Sequence, residues 1–252
     1  MKQFTIKNVT LGNGIPKICV PICASTKEDL LSHINEYNRE DIDLVEWRID
    51  FFEMVSDLDA VEELTKELRS NLPEKPILFT FRTKQEGGEQ TLALEDYFSL
   101  NLHLAQSGYV DLIDLELFVT DNQNNLSDMI KKIQQSGVKV VLSNHDFLKT
   151  PLEEEILSRL VNMQKLGADI AKIAVMPNSS TDVLTLLSAT NKMKECFADI
   201  PIVTMSMGKT GAISRIAGEL FGSAITFGSL INSSAPGQIP VTELKQILNL
   251  LS

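Results

Sequence analysis

TPLEEEILSRLVNMQKLGADIAKIAVMP, residues 150–177, carries a helical period and then a strand period in immediate succession. Ile156, Leu160, Met163 and Leu166 recur at spacings of three and four, which gives one helix with a single buried stripe. Ahead of it Thr150 is expected to cap the helix, Pro151 suits the first helical position, and Glu153 completes a T-x-x-E capping box. Gly167 stands where a helix ends on a left-handed residue. The next nine residues, DIAKIAVMP, change to a period of two. Ile170, Lys172 and Ala174 then share one face, while Ala171, Ile173 and Val175 face a helix layer.

The same unit repeats outward in both directions. Short apolar or β-branched runs fall at 17–23, 43–50, 76–81, 110–117, 139–143, 169–176, 201–207 and 224–230. Helical periods fall between them at 27–37 (with Thr26 and Asp29 able to open it), 58–72, 92–106, 126–135, 152–166, 182–196 and 212–221, and a last one at 241–251. Eight strands alternating with eight helices predict an α/β fold, a (β/α)8 TIM barrel, because closure leaves no sheet edge. An open doubly wound sheet would carry G-x-G-x-x-G after its first strand, and here that strand runs into PICAST. Gly12 and Gly14 precede it and read as the turn of an N-terminal β-hairpin closing the barrel's bottom. No internal repeat, low-complexity stretch or linker divides the chain, so residues 1–252 form a single domain.

Composition narrows the function classes. A hydrophobic content of 43% and a charged content of 23% fit a globular chain with a sizeable core. No run approaches the roughly 18 apolar residues of a membrane span, and the start lacks a basic-then-apolar leader, so a cytoplasmic address is expected. The formal charge of −11 argues against nucleic acid or an anionic membrane as partner. A small anionic substrate remains open, since a local arginine cluster outweighs the global field. Cys19 and Cys23, four apart in a strand, lie roughly 13 Å apart, too far to bridge. With Cys196 alone, all three are expected to be reduced packing thiols.

In a barrel the chemistry stands at the C-terminal ends of the strands. There the chain places Glu46, Arg48, Arg82, Glu86, Asp114, Glu116, His145, Lys172, Arg215, Ser234 and Gln238. Lys172 is flanked by apolar residues, and burying an ammonium is costly enough to favour the neutral amine that Schiff-base chemistry needs. A structural ion pair with Asp114 or Glu116 is the competing reading. His145 ends the strand beside it, whereas His33 and His103 lie in helices; an imidazole there is a competent general acid and base. Arg48, Arg82 and Arg215 offer forked donors suited to a carboxylate and hydroxyls. Gly208-Lys209-Thr210 imitates the tail of a phosphate loop, but Val203 stands where that motif needs glycine. Asp111, Asp114 and Glu116 do not make a metal site, since Asp111 is an odd step from Asp114 and points elsewhere.

These residues sit in stretches that resemble one family. LVEWRID at 44–50, LFTFRTKQEGGEQ at 78–90, DLIDLELF at 111–118, SNHDF at 143–147, KIAVMP at 172–177, TMSMGKTGAISRIAGELFGSAITFGS at 204–229 and SAPGQI at 234–239 are similar, in order, to type I 3-dehydroquinate dehydratases. The resemblance implies that Lys172 forms the Schiff base, that His145 is the general acid and base, and that Glu86 orients it. It implies substrate contacts from Glu46, Arg48, Arg82, Arg215, Ser234 and Gln238, with Met205 and Phe227 lining the pocket. One departure is Pro21, which stands where members can carry a serine contact and has neither hydroxyl nor N–H. The implied reaction is syn elimination of water from 3-dehydroquinate to 3-dehydroshikimate, in the shikimate pathway to aromatic amino acids. It requires no metal, nucleotide or organic cofactor, and the implied assembly is a homodimer. The polar segment 231–238 is expected to act as a lid. The rival readings are a Schiff-base aldolase on the same fold and a non-catalytic barrel that binds a carboxylate.

Overall fold

The structure, a computed structural model, describes residues 2–230 and 235–252. A short antiparallel hairpin, β1 (Phe4–Ile6) and β2 (Val9–Leu11), comes first. The parallel strands follow as β3 (Lys17–Ile22), β4 (Leu44–Arg48), β5 (Ile77–Thr80), β6 (Leu112–Glu116), β7 (Lys139–Asp146), β8 (Ile170–Val175), β9 (Ile202–Ser206) and β10 (Ile225–Ser229). From β3 to β9 each pairs with the next, and β10 returns to pair with β3. The seam between β9 and β10 is closed by single bonds rather than a ladder: Ala224 N–H donates to Ile202 O at 2.8 Å, and Thr204 N–H to Ser223 Oγ at 3.0 Å. A two-residue strand, β11 (Ile239–Pro240), adds to the outer end of β10.

The period of two sorts the strand residues into two cores. Ala171, Ile173 and Val175 join the layer between sheet and helices, while Ile170 and Ala174 face the lumen with Leu44, Leu78, Leu112 and Val203. Lys172 stands between two apolar lumen residues on the same face, as the alternation requires. Val9 and Leu11 of the hairpin join the lumen cluster, so the hairpin closes the bottom. Its turn, however, is Lys7-Asn8, with Lys7 at φ 52°, and Gly12 and Gly14 lie after β2 rather than in the turn. Asparagine and lysine serve because only one residue there needs the left-handed region.

The helices are α1 (Lys27–His33), α2 (Leu58–Asn71), α3 (Leu94–Ser107), α4 (Gln123–Gln135), α5 (Glu153–Lys165), α6 (Ser180–Cys196), α7 (Ile213–Ile216), α8 (Gly218–Phe221) and α9 (Val241–Leu251). Thr26 caps α1 by accepting from Asp29 N–H at 3.1 Å. The expected capping box at Thr150 does not form. Leu152 is the N-cap of α5 and makes no side-chain cap bond, because the Thr150 hydroxyl donates to Met176 O beyond the end of β8, at 3.0 Å. Three glutamates in the first turn face the positive end of the α5 dipole instead. The segment 212–221 breaks into α7 and α8 where Gly218 packs so tightly that a Cβ would lie 2.8 Å from Pro16 and 2.9 Å from Ser223 O. All three cysteines are free, but Cys196 is exposed at the end of α6 and is not a packing thiol.

Strand β7 runs three residues further than the apolar run alone suggested, since Asn144, His145 and Asp146 pair with Ile173, Ala174 and Val175. His145 therefore sits on the ladder next to Ala174, two residues beyond the Ser143–Lys172 pair. Backbone pairing, not a loop, fixes the distance between the two groups.

Candidate active site

The floor of the lumen mouth is a buried ion-pair network. Lys172 is 4% exposed; its Nζ lies 3.3 Å from Asp114 Oδ2, 3.6 Å from Glu46 Oε1 and 4.6 Å from the Phe227 ring centroid. The structural pairing weighed from the sequence thus exists with Asp114, while Glu116 belongs to Arg82. Arg82, just past β5, puts Nη1 3.0 Å from Glu116 Oε1 and 3.0 Å from Ser143 Oγ. Its Nη2 lies 2.9 Å from Asp114 Oδ1, an ion pair that is off-line for an N–H bond, and Glu86 Oε2 is 3.7 Å from Nη1. Burial pushes the Asp114 carboxyl up, but Arg82, Lys172 and the Ser143 hydroxyl outweigh it and hold it below the usual carboxylate range.

Arg48 is similarly engaged. Its Nε and Nη2 donate to Asp50 Oδ1 and Oδ2, both at 2.7 Å, in a bidentate fork. Asp50 also accepts from the backbone of Arg82 and Glu89, which ties the turn after β5 to the end of β4. Of the three arginines expected to meet an anion, then, two already hold carboxylates of the protein. Arg215 differs. It is 1% exposed, it donates to Phe227 O at 3.3 Å and Pro236 O at 3.1 Å, and its Nε has no partner. No carboxylate of the described residues pairs with it. Burial pushes it down to about 10, so the guanidinium remains charged at neutral pH.

His145 and Glu86 form a pair at the rim. Glu86 Oε2 lies 2.9 Å from His145 Nδ1 and accepts the His145 backbone N–H at 2.9 Å, while Asn144 Nδ2 donates to Oε1 at 3.0 Å. Burial, followed by Arg82, Lys172 and Arg48, lowers the imidazole well below its ordinary range. Burial and Glu116 push the Glu86 carboxyl up to about 8, against Arg82 and the Asn144 amide. Their contact at 2.9 Å sets a carboxyl directly against the imidazole, the arrangement that a group which must both take and give a proton requires. Glu86 is delivered by a tight turn: Gly87 has φ 87°, and a Cβ on Gly88 would lie 1.9 Å from Arg82 O.

The side chains not walled off by this network face one cleft at the mouth of the lumen. Lys172, His145 and Glu86 line it together with Glu46, Arg48, Arg82 and Arg215. Met205, Phe227 and Gln238 complete the wall. Ser234 lies outside the described residues, as does the first half of the expected lid. Pro21 belongs to a separate cleft with Cys23 and Tyr37 and does not line this one. Asp111 pairs with Arg69 and accepts from Ile77 N–H, away from the cleft. The Gly208 turn packs under the 235–238 segment, with Gly208 N–H donating to Pro236 O at 3.0 Å; a Cβ on Gly237 would lie 2.2 Å from Gly208 O.

Comparison with known proteins identifies the family. The model of the family described as Type I 3-dehydroquinase matches residues 18–252. The chain belongs to this family. It is 54% identical over 251 residues to the 3-dehydroquinate dehydratase of Listeria monocytogenes serotype 4a (strain HCC23), covering 100% of this chain and 98% of that one. It is 50% identical over 250 residues to that of Clostridioides difficile (strain 630), covering 99% and 97%. Its fold matches the crystal structure of the Clostridium difficile type I 3-dehydroquinate dehydratase with covalent modified comenic acid, with a TM-score of 0.95, 49% identity and coverage of 99% and 97%. The Enterococcus faecalis 3-dehydroquinate dehydratase gives a TM-score of 0.92 at 48% identity, over 99% of each chain.

The sequence reading did not assign Asp50, Ser143, Asn144 or Arg159 to this network. Asp50 had a local signal, two residues after Arg48 in EWRID; the others had none, since their partners are far along the chain. Because Arg82 faces three buried carboxylates, Asp114, Glu116 and Glu86, Arg82→Met should destabilise the fold by about 3–5 kcal/mol, read by urea unfolding. A loss under 1 kcal/mol would show that the carboxylates neutralise themselves by other means.

Proposed function

We propose that this chain catalyses the elimination of water from 3-dehydroquinate through a Schiff base on Lys172, with His145 as the proton carrier. The observation that supports it most is the placement of a lysine and an imidazole on paired strands of one cleft whose only guanidinium without a carboxylate partner, among the described residues, is Arg215.

The chemistry follows from the charges. The Lys172 amine adds to the C3 ketone; the carbinolamine hydroxyl takes a proton from the His145 imidazolium and leaves as water, giving an iminium and a neutral imidazole, and the proton is returned when the iminium is hydrolysed at the end. The iminium keeps the positive charge at Nζ, so Asp114 and Glu46, which stabilise the ammonium, stabilise this intermediate as well. With Nδ1–H donated to Glu86, His145 Nε2 has a free lone pair. It takes a proton from C2, and the electron pair moves into the iminium to form an enamine. The imidazolium, held against the Glu86 carboxylate, then gives its proton to the C1 hydroxyl, which departs as water. One imidazole serves both steps, so the elimination is syn. Water then hydrolyses the conjugated iminium, freeing the amine and 3-dehydroshikimate. Arg215 takes the substrate carboxylate, and Glu46, Arg48, Arg82, Ser234 and Gln238 are assigned to its hydroxyls. The product is a precursor of aromatic amino acids, consistent with a biosynthetic enzyme. No helix of the described residues is long and apolar enough to cross a membrane.

The test is direct. On adding 3-dehydroquinate, the ultraviolet absorbance of a conjugated product should grow, and His145→Ala should slow it by about 10²–10⁴-fold or more. No absorbance from the unmodified chain would contradict the dehydratase reading and is the result an aldolase or a mere carboxylate binder would give; an undiminished rate in the variant would remove His145. We also take the assembly to be a homodimer. Leu148, Leu152 and Leu184, exposed by 84%, 73% and 65%, lie on neighbouring elements and offer apolar surface for a subunit contact. Light scattering should give twice the 28.0 kDa chain mass, and a monomer mass at micromolar concentration would contradict this.

A further inference from the structure

Helix α5 lies outside the barrel, yet one of its side chains is linked to the rim pair. Arg159 Nη1 donates to Asn144 Oδ1 at 2.7 Å. Asn144, 4% exposed, donates in turn from Nδ2 to Glu86 Oε1, whose other oxygen holds His145. On the far side, Arg159 is anchored by Glu155 one turn earlier and stacks 5.4 Å from the Phe118 ring centroid. The chain of contacts runs from a surface salt bridge to the catalytic imidazole through three side chains.

The direction of each bond is set by chemistry. A guanidinium has five N–H donors and no acceptor. The group facing it must be the amide oxygen, which decides the otherwise ambiguous orientation of Asn144. The amide NH2 then faces Glu86 and requires an acceptor there. Accepting from Asn144 on one oxygen and from His145 on the other is possible only for the Glu86 carboxylate, so the Asn144 amide favours the charged form and opposes the burial that pushes the carboxyl up.

We propose that Arg159 and Asn144 are positioning residues for the elimination: Arg159 locks the Asn144 amide with its NH2 toward Glu86, and this keeps Glu86 an acceptor that holds His145 Nδ1–H and leaves Nε2 open to substrate. This rests on the dehydratase reading for its role in turnover, but not for its effect on the pair. Without Arg159 the amide is free to turn its oxygen toward Glu86, and two oxygens in contact require a proton between them. Glu86 would then hold a proton at higher pH than before, and His145 would lose the anion that stabilises its imidazolium. The other charged groups that face the pair, Arg82, Lys172, Arg48, Glu116 and Asp114, are untouched by these substitutions.

The experiment is a pH titration of the His145 ring resonances by nitrogen–proton NMR, made without substrate; the chain has three histidines, and His33 and His103 serve as internal references. Arg159→Met should raise the midpoint at which Glu86 loses its proton, sensed as a shift of the His145 ring signals, by about one pH unit, and Asn144→Asp, which keeps the Arg159 contact but sets an oxygen against Glu86, by at least as much. Arg159→Lys retains charge and a donor and should restore the original midpoint. The acid limb of kcat/KM for 3-dehydroquinate should move upward with the midpoint, kcat falling more than KM changes. A midpoint in Arg159→Met equal to that of the unmodified chain, with only the melting temperature lowered, would show that Arg159 merely fastens α5 and would overturn the proposal. Midpoints that move while the unmodified chain shows no turnover would uphold the positioning of the pair and reject the dehydratase reading instead.

Discussion

Arg82 is the constraint on which the site depends. Its guanidinium is buried among Asp114, Glu116 and Glu86, while Arg48 holds Asp50 and Lys172 faces Asp114 and Glu46. Each of these charges alone would be costly in the lumen, since removing one partner of a buried pair typically costs about 3–5 kcal/mol. Together they hold one another in place through hydrogen bonds from Ser143, Thr83 and Thr80. The cleft floor is therefore rigid, and its polarity is settled before a ligand arrives. The groups left over at the rim are Arg215, which has no carboxylate partner among the described residues, and the hydrogen-bonded His145–Glu86 pair.

That arrangement suits a cationic intermediate. An amine that becomes an iminium carries its charge at nearly the same point throughout, so Asp114 and Glu46 need not reorganise. Phe227, 4.6 Å from Nζ, faces the same charge with its ring and shields it from solvent. The steps that do move charge, proton removal at C2 and proton return at C1, fall to the one pair in which an imidazole and a carboxyl are in direct contact. Glu86 Oε2 lies 2.9 Å from His145 Nδ1, so the carboxylate stabilises the imidazolium that forms between the two steps.

Much of this was legible in the sequence, and the limits are physical. A period of two in DIAKIAVMP placed Lys172 on the lumen face, and the alternation of eight strand and helix periods indicated the barrel, because both depend on local burial. Residues at strand ends converged for the same reason. Partnership was not legible. Arg48 and Arg82 read as ligands for an incoming anion, yet each finds its anion in the protein, and nothing in a linear sequence distinguishes those outcomes for Arg215. Thr150 had every local mark of a helix cap and instead bonds Met176 O, 26 residues away in the chain. Arg159 lay on a helix whose apolar stripe explained the segment fully, and its contact with Asn144 depends on how α5 packs against β7. The hairpin turn lies at Lys7-Asn8 and not at Gly12 and Gly14, because Lys7 itself adopts the left-handed region at φ 52°.

The central claim is that the Lys172 amine becomes covalently bonded to the ligand carbonyl. Borohydride added with product traps an imine as a stable secondary amine, and the intact mass then reports one ligand per chain. Peptide mapping should place that added mass on Lys172 alone. A trapped mass on any other lysine, or none under conditions of full turnover, would contradict the account.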